Sequence, residues 1–311
     1  MQAGKSWTEQ QSKVLHELRR VRHTPMRQFE NRGALIDYLF IDRSKERTVH
    51  FFNGYLLKQN EWVHQLRSLW DFNLLLTDNR GHGGSTLGVT SSSRYLYDCA
   101  EDNLKIAQHL GIKNPDVVAF SMGALIATEY AYQLQSRIRT LTYVGPAVSN
   151  PLKTFAMGCV PSQMLDALDE LVSHRAFLTL AKSFSQIAKH DVTLYPWYTL
   201  FKHATPSRAT YRQFRRFLRD SFEVDPRIMI LVLKAMVEKG DEIGNKMGLI
   251  HAPVMVVRGE QDMFVDESSM DVIQREFDDV DIHVLSNATH FPQAEQAEKF
   301  NRLLYSFLIK H

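Results

Sequence analysis

The chain is short of cysteine, of net charge and of long apolar runs, and each shortage closes off a class of protein. Two cysteines, Cys99 and Cys159, in 311 residues are too few for a disulfide scaffold or a thiolate metal site. Reduced thiols and a cytoplasmic setting are expected. Against 37 basic residues stand 35 acidic ones, a formal net charge of +2, so the basic excess of a nucleic-acid binder is missing. The longest apolar run, Ile228 to Leu233, is closed by Arg227 and Lys234, far short of the about 20 residues that span a bilayer. The opening residues, Met1 to Glu9, lack the apolar core of a signal peptide. What remains is a hydrophobic share of 44% with 23% charged residues, which supports one large packed domain or two smaller ones and excludes wholesale disorder.

Periodicity divides the chain into four stretches. Residues 1–25 predict a helical extension: Ser6-Trp7-Thr8-Glu9 has the form of a capping box, Trp7, Val14, Leu18 and Val21 recur at helical spacing, and Pro25 ends the run. Such a helix docks on the main domain by its apolar stripe or acts as a lid. Over residues 26–146 strands alternate with helices. Ala34–Ile41, Thr48–Phe52, Phe72–Thr77, Asp116–Phe120 and Ile138–Val144 read as strands, with helices over Lys58–Trp70, Tyr95–Leu110 and Met122–Leu134. Residues 147–248 break the alternation with helices around 162–173, 175–189, 207–222 and 226–239, separated by prolines. It resumes over residues 249–311: a strand at Pro253–Arg258, a helix near 267–277, a strand at Asp281–Ser286 and a last helix from Gln293 to Leu308. The fold class is therefore α/β, a mostly parallel sheet flanked by helices with a helical block inserted into it.

Chemistry concentrates where strands end. The strand ending at Phe120 runs through Ser121-Met122-Gly123 into a helix, and with Ala119 this makes A-x-S-x-G, one methyl away from the G-x-S-x-G nucleophile elbow. Small residues are needed on either side because the turn is too sharp for larger ones. A serine hydroxyl is a weak nucleophile near neutral pH and needs a histidine base oriented by a carboxylate. Asp262 follows the strand Val254–Val257, and His290 follows the next strand, after Ser286-Asn287-Ala288-Thr289. All three candidates lie beyond the carboxyl ends of parallel strands, where open α/β sheets place their sites. Glu260 and Asp266 flank Asp262 as competing acids.

Taken in the order Ser121, Asp262, His290, and with Asp78-Asn79-Arg80-Gly81-His82-Gly83-Gly84-Ser85 resembling a D-x-R-G-x-G-x-S turn, the chain resembles the α/β-hydrolase superfamily in its cap-bearing serine hydrolase branch. The likeness runs from residue 26 to the end, with 147–248 matching the variable cap. It implies an oxyanion hole made by the backbone N–H of Met122 and an N–H after the third strand, where relatives commonly carry His-Gly. This chain has Phe52-Asn53-Gly54-Tyr55 there, and Tyr55 is the expected second donor. His82 in the D-x-R-G turn is expected to be structural. A serine nucleophile argues against the branches that use aspartate, the dehalogenases and epoxide hydrolases.

The inserted block is rich in aromatics, and Tyr195, Trp197 and Tyr198 are the expected wall of an apolar acyl or ring substrate site. No phosphate-cradling glycine loop, metal-ligand cluster or flavin motif occurs, so no cofactor is expected. Residues 207–222 should form a two-faced helix, Tyr211, Phe214, Leu218 and Phe222 on one side and Arg212, Arg215, Arg216 and Arg219 on the other. The arginine side is a solvated face or a docking patch for an anionic acyl carrier. The expected activity is hydrolysis of a small to medium ester, thioester or lactone through an acyl-enzyme. A carbon–carbon bond hydrolase of the ring-cleavage type, or a hydrolase-like receptor with little turnover, is the alternative.

Overall fold

The computed structural model describes residues 25–135, 137–151, 208–262, 264–265 and 267–311, with 167, 170, 171 and 174 besides. The expected N-terminal helix, the insertion helix around 175–189, all of the helix around 162–173 but residues 167, 170 and 171, and the wall Tyr195, Trp197 and Tyr198 lie outside the described residues.

The apolar runs assemble into one eight-stranded sheet in the order β1-β2-β4-β3-β5-β6-β7-β8. Its strands are β1 (Arg27–Asn31), β2 (Ala34–Ile41), β3 (Thr48–Phe52), β4 (Asn73–Thr77), β5 (Asp116–Phe120), β6 (Thr140–Val144), β7 (Val254–Gly259) and β8 (Val280–Leu285). β2 pairs antiparallel with β1 and β4, and every pairing from β4 to β8 is parallel. The central strands β3 to β6 are buried along their whole length, as strands covered by helices on both faces must be. β1 escapes sequence reading because its residues, Arg-Gln-Phe-Glu-Asn, are mostly exposed at the sheet edge and show neither an apolar run nor a clear alternation.

Helices cover both faces. On one lie α1 (Ser92–His109), α2 (Gly123–Gln133), α4 (Pro226–Gly244) and α5 (Glu267–Glu276), contributing Tyr95, Ile126, Val232 and Ile273 to a single buried cluster. On the other, Trp62, Leu66 and Leu69 from the segment after β3 pack with Phe300, Leu304 and Leu308 of the last helix. α4 begins where sequence expects, with Asp225 capping the Arg227 N–H at 2.9 Å and Pro226 in the first turn. It lies against the core: Glu238 accepts from Ser92 of α1, Glu242 from Tyr97 of α1, and Asp241 from the Asn150 N–H. It therefore serves as the crossover helix between β6 and β7. Among the described residues no helix is long and apolar enough to cross a membrane.

Three expectations need correction. Lys58–Trp70 is a 3-10 turn at Gln59–Trp62 followed by further turns, not a continuous helix. Its apolar spacing is real, since Trp62, Leu66 and Leu69 are all buried. The backbone makes i→i−3 bonds instead, as Glu61 N to Lys58 O and Gln65 N to Trp62 O, and at the end of the run Arg43 takes the carbonyls, Nη2 donating to Leu66 O at 2.8 Å and Nη1 to Leu69 O at 2.6 Å. The last helix is two, α6 (Pro292–Glu295) and α7 (Ala297–Lys310), broken at Gln296 where φ is −120° and ψ 43°. α3 (Arg208–Ser221) forms as expected, but of its arginine side Arg216 is drawn inward. Asp220 and Ser221 are buried, Phe217 meets Phe291 at 6.0 Å between ring centroids, and half-buried Arg216 donates to Asn60 O at 3.3 Å. Only Arg215 and Arg219 of the described stripe are exposed; of Arg212 the backbone alone is described.

Candidate active site

β5 ends at Phe120, and the next residue, Ser121, has φ 51°, a left-handed conformation that costs a non-glycine residue about 1 kcal/mol or more. The surroundings hold it there. The Ser121 N–H donates to Val144 O at 3.0 Å, and its carbonyl accepts from Ala124 N at 2.9 Å and Ala147 N at 3.0 Å. The glycine two residues on is dictated by space: a Cβ on Gly123 would sit 2.5 Å from Phe52 O, inside any real contact. Ala119, two residues earlier, is fully buried in the sheet and its methyl is accommodated.

His290 follows β8 and faces the serine, with Nε2 2.9 Å from Ser121 Oγ. Its Nδ1 lies 3.0 Å from Asp262 Oδ2 and 3.1 Å from Oδ1. Asp262 is itself held, Oδ1 accepting from Phe264 N at 2.9 Å and Val265 N at 3.2 Å. With Asp262 on Nδ1, the arrangement favours the tautomer that leaves Nε2 free to accept the serine proton. Glu260 is exposed and turned to other duty, its N–H donating to Leu285 O. Asp266 lies outside the described residues. The ring of His290 is walled by Phe120, Phe264 and Phe291, at centroid distances of 4.9, 4.8 and 5.6 Å.

Several contributors have no signal in sequence. Gly145, after β6, has φ 46°, and a Cβ there would crowd Asp262 Oδ2 at 3.1 Å and His290 Nδ1 at 3.2 Å. Glu295 accepts from the Thr289 N–H and, at 2.7 Å, from its hydroxyl, fixing the residue before the histidine. The two loops are tied by Gln261 N donating to Ala288 O at 3.0 Å.

The turn after β3 runs from Gly54 to Leu57, closed by Leu57 N donating to Gly54 O at 3.3 Å, with Leu56 at φ 59°. Asn53, standing where relatives are expected to carry histidine, is wholly buried and structural: Nδ2 donates to Thr77 O at 2.7 Å and Oδ1 accepts from Trp62 Nε1 at 3.0 Å. The Tyr55 hydroxyl crosses to α4 and donates to Met229 O at 2.9 Å, and burial pushes this phenol above its ordinary pKa. The N–H groups of Tyr55 and Met122 find no acceptor among the described residues. His82 is buried away from the triad, with Nδ1 on Arg80 O at 2.9 Å. Beside it Arg80 and Asp102 form a buried bidentate pair at 2.7 and 2.8 Å.

Comparison with known proteins identifies the fold. Over residues 48–297 the chain matches the model of the family described as alpha/beta hydrolase fold. It is similar to the 2-hydroxy-6-oxononadienedioate/2-hydroxy-6-oxononatrienedioate hydrolase of Burkholderia vietnamiensis, 26% identical over 240 residues and 76% of each chain. It is also similar to the 2-hydroxy-6-oxo-6-phenylhexa-2,4-dienoate hydrolase of Comamonas testosteroni, 23% identical over 79% of this chain and 82% of that one. Among solved structures, the enol-lactonase from Burkholderia xenovorans superposes with a TM-score of 0.68 at 17% identity, covering 91% of this chain and 100% of that one. An esterase from Thermogutta terrifontis gives 0.67 at 16% identity, with 91% and 98% covered. An elbow serine on a mostly parallel sheet, within a family match that spans most of the sequence, leaves one conclusion: the chain belongs to the α/β-hydrolase fold family.

Proposed function

We propose that this hydrolase cleaves a small to medium ester, thioester or lactone with an apolar acyl part through an acyl-enzyme. The observation that carries the reading is the unbroken line from Ser121 Oγ through His290 to Asp262, at 2.9 and 3.0 Å. Ser121 attacks the acyl carbonyl while His290 Nε2 takes its proton. The N–H groups of Met122 and Tyr55 receive the charge that develops on the carbonyl oxygen. His290 then gives the proton to the leaving alkoxide or thiolate, and a water, deprotonated by the same nitrogen, releases the acid. Asp262 orients the imidazole throughout. The aromatic ring wall around His290 supports an apolar acyl group. The rest of that group's contacts we assign to a cap within 147–248, including Tyr195, Trp197 and Tyr198. Two cysteines in the whole chain, with Cys99 a buried free thiol, support a cytoplasmic setting.

The test is labelling by a fluorophosphonate probe, followed by a screen of p-nitrophenyl esters, acyl thioesters and lactones. Native protein should label and turn over at least one class, and Ser121→Ala should do neither. Absence of labelling, under conditions where a known serine hydrolase labels, supports the receptor alternative instead.

A second reading, a carbon–carbon bond hydrolase of the ring-cleavage type, is supported by the sequence relatives, whose names describe hydrolases of 2-hydroxy-6-oxo dienoates and dienedioates. Those substrates lose a carbon–carbon bond, and the same serine, base and oxyanion donors serve that chemistry. Loss of the dienol absorbance of such a substrate on mixing with native protein, but not with Ser121→Ala, would select this reading.

A further inference from the structure

Behind the turn that carries Tyr55 lies a carboxylic acid that the chemistry above does not use. Glu61 is fully buried, and its Oε1 accepts from the Gly54 N–H at 3.1 Å. Gly54 is the first residue of the turn Gly54–Leu57, and the turn is strained, since Leu56 sits at φ 59° where a branched side chain is disfavoured. A strained turn keeps its shape only when its surroundings impose it. Asn53 pins the entry to Thr77 O and Trp62 Nε1, the Tyr55 hydroxyl pins the middle to Met229 O, and Glu61 orients the Asn53–Gly54 peptide. We propose that Glu61 is a positioning residue for the oxyanion hole, holding the Gly54–Leu57 turn so that the Tyr55 N–H points at the substrate oxygen. The inference rests on the reading that Tyr55 supplies that donor.

The environment makes Glu61 a fixed acceptor. Burial drives its carboxyl well above the ordinary pKa, and the neighbouring Asp220 and Asp78 add to the rise, against the pull of the Gly54 N–H and of Arg216. Its second oxygen, Oε2, is buried without a hydrogen-bond partner among the described residues. Burial thus biases the carboxyl towards its neutral form, and glutamine, whose amide oxygen can accept the same Gly54 N–H, is the nearest isostere. The short 3-10 turn bearing Glu61 is gripped from α3. Arg216 donates to Asn60 O at 3.3 Å, and Lys58 reaches Asp220 at 3.6 Å and Glu223 at 2.6 Å. The turn after β3 is thus backed by a segment clamped on its far side.

The experiment compares native protein with Glu61→Gln, Glu61→Leu and Glu61→Asp in the full chain. Three readouts are taken: kcat and KM for the best ester found, the second-order rate of fluorophosphonate labelling, and amide hydrogen exchange over residues 53–57. Glu61→Leu and Glu61→Asp should lower kcat and the labelling rate about 10- to 100-fold with KM nearly unchanged, because the lost contact serves the transition state. Both should speed exchange at Gly54 and Tyr55, and Glu61→Gln should restore all three readouts. Folded Leu and Asp variants with native kcat and native exchange would overturn the proposal. So would Leu and Asp variants that both fail to fold while Gln folds, since that assigns Glu61 to folding rather than to positioning. A native protein that neither labels nor turns over any substrate defeats the hydrolytic reading. Hydrogen exchange then still decides whether Glu61 holds the turn, and native exchange in Glu61→Leu rejects it.

Discussion

Asp262 and Glu260 carry the same functional group two residues apart and meet opposite fates. Asp262 lies 3.0 Å from His290 Nδ1 and accepts two backbone N–H groups, while Glu260 is exposed. Asp262→Asn should therefore lower kcat by about 10³- to 10⁴-fold, because an amide in that place favours the wrong imidazole tautomer. Glu260→Gln should stay within about tenfold of native. Steady-state rates of the two purified variants on one ester separate them, and equal losses would take Asp262 out of the orienting role. Ser121, Asp262 and His290 were legible in sequence because each carries its own reactive group and follows a recognisable strand. Gly145, Glu295 and Glu61 were not. Their roles exist only through neighbours that sequence order does not announce, such as Thr289 for Glu295 and the His290 imidazole for Gly145.

At the scale of elements, strand and helix identities read well where burial is complete on both sides, as along β3 to β6. They read poorly where a side chain replaces the backbone ladder, as Arg43 does over residues 66–72, or where an edge strand is polar. The packing of α2 on β3 yields a test. Gly123→Ala places a methyl 2.5 Å from Phe52 O, which must push the first turn of α2 off the sheet at about 1–3 kcal/mol. Thermal unfolding should drop by several degrees, with activity falling far more because Ser121 moves with the helix. An unchanged melting temperature would mean that the elbow has slack the geometry denies. For α3, Arg215 and Arg219 are the exposed arginines of the described stripe, and Arg219 lies 3.9 Å from Asp220. The double glutamine variant should lose kcat/KM for carrier-linked thioesters if they receive an anionic carrier, and leave neutral p-nitrophenyl esters unaffected in either case. Equal rates on both substrates dismiss the docking patch.

For the whole molecule, buried titratable groups set how stability responds to acid. Burial lowers His50 from 6.5 to about 3 and His82 to about 4, the first against the pull of Asn103 and the second against that of Arg80 O. Between pH 6.5 and those values the unfolded chain binds the more protons, so stability is lost as pH falls through the window. At pH 5 each histidine costs about 2 kcal/mol relative to pH 7. Asp78 works the other way: burial raises it from 3.8 to about 6, so acidification relieves about 1.4 kcal/mol by pH 5. From pH 7 to pH 5 the stability change read by urea unfolding should be about 2 kcal/mol more favourable in His50→Gln than in native protein, and less favourable in Asp78→Asn. A second test concerns Arg80 and Asp102, whose pairing is buried and bidentate. Arg80→Met should cost about 3–5 kcal/mol by stranding the carboxylate, measured by the same unfolding curves.

The separation of the reacting groups along the chain also has a consequence for biosynthesis. Ser121 and His290 are 169 residues apart, so at a translation rate of about 5–20 residues per second the ribosome releases Ser121 roughly 10–30 seconds before His290. Throughout that interval Ser121 is without its partner His290. On the proposed chemistry a chain that stops before β8 lacks the base, and it should fail to label with a fluorophosphonate.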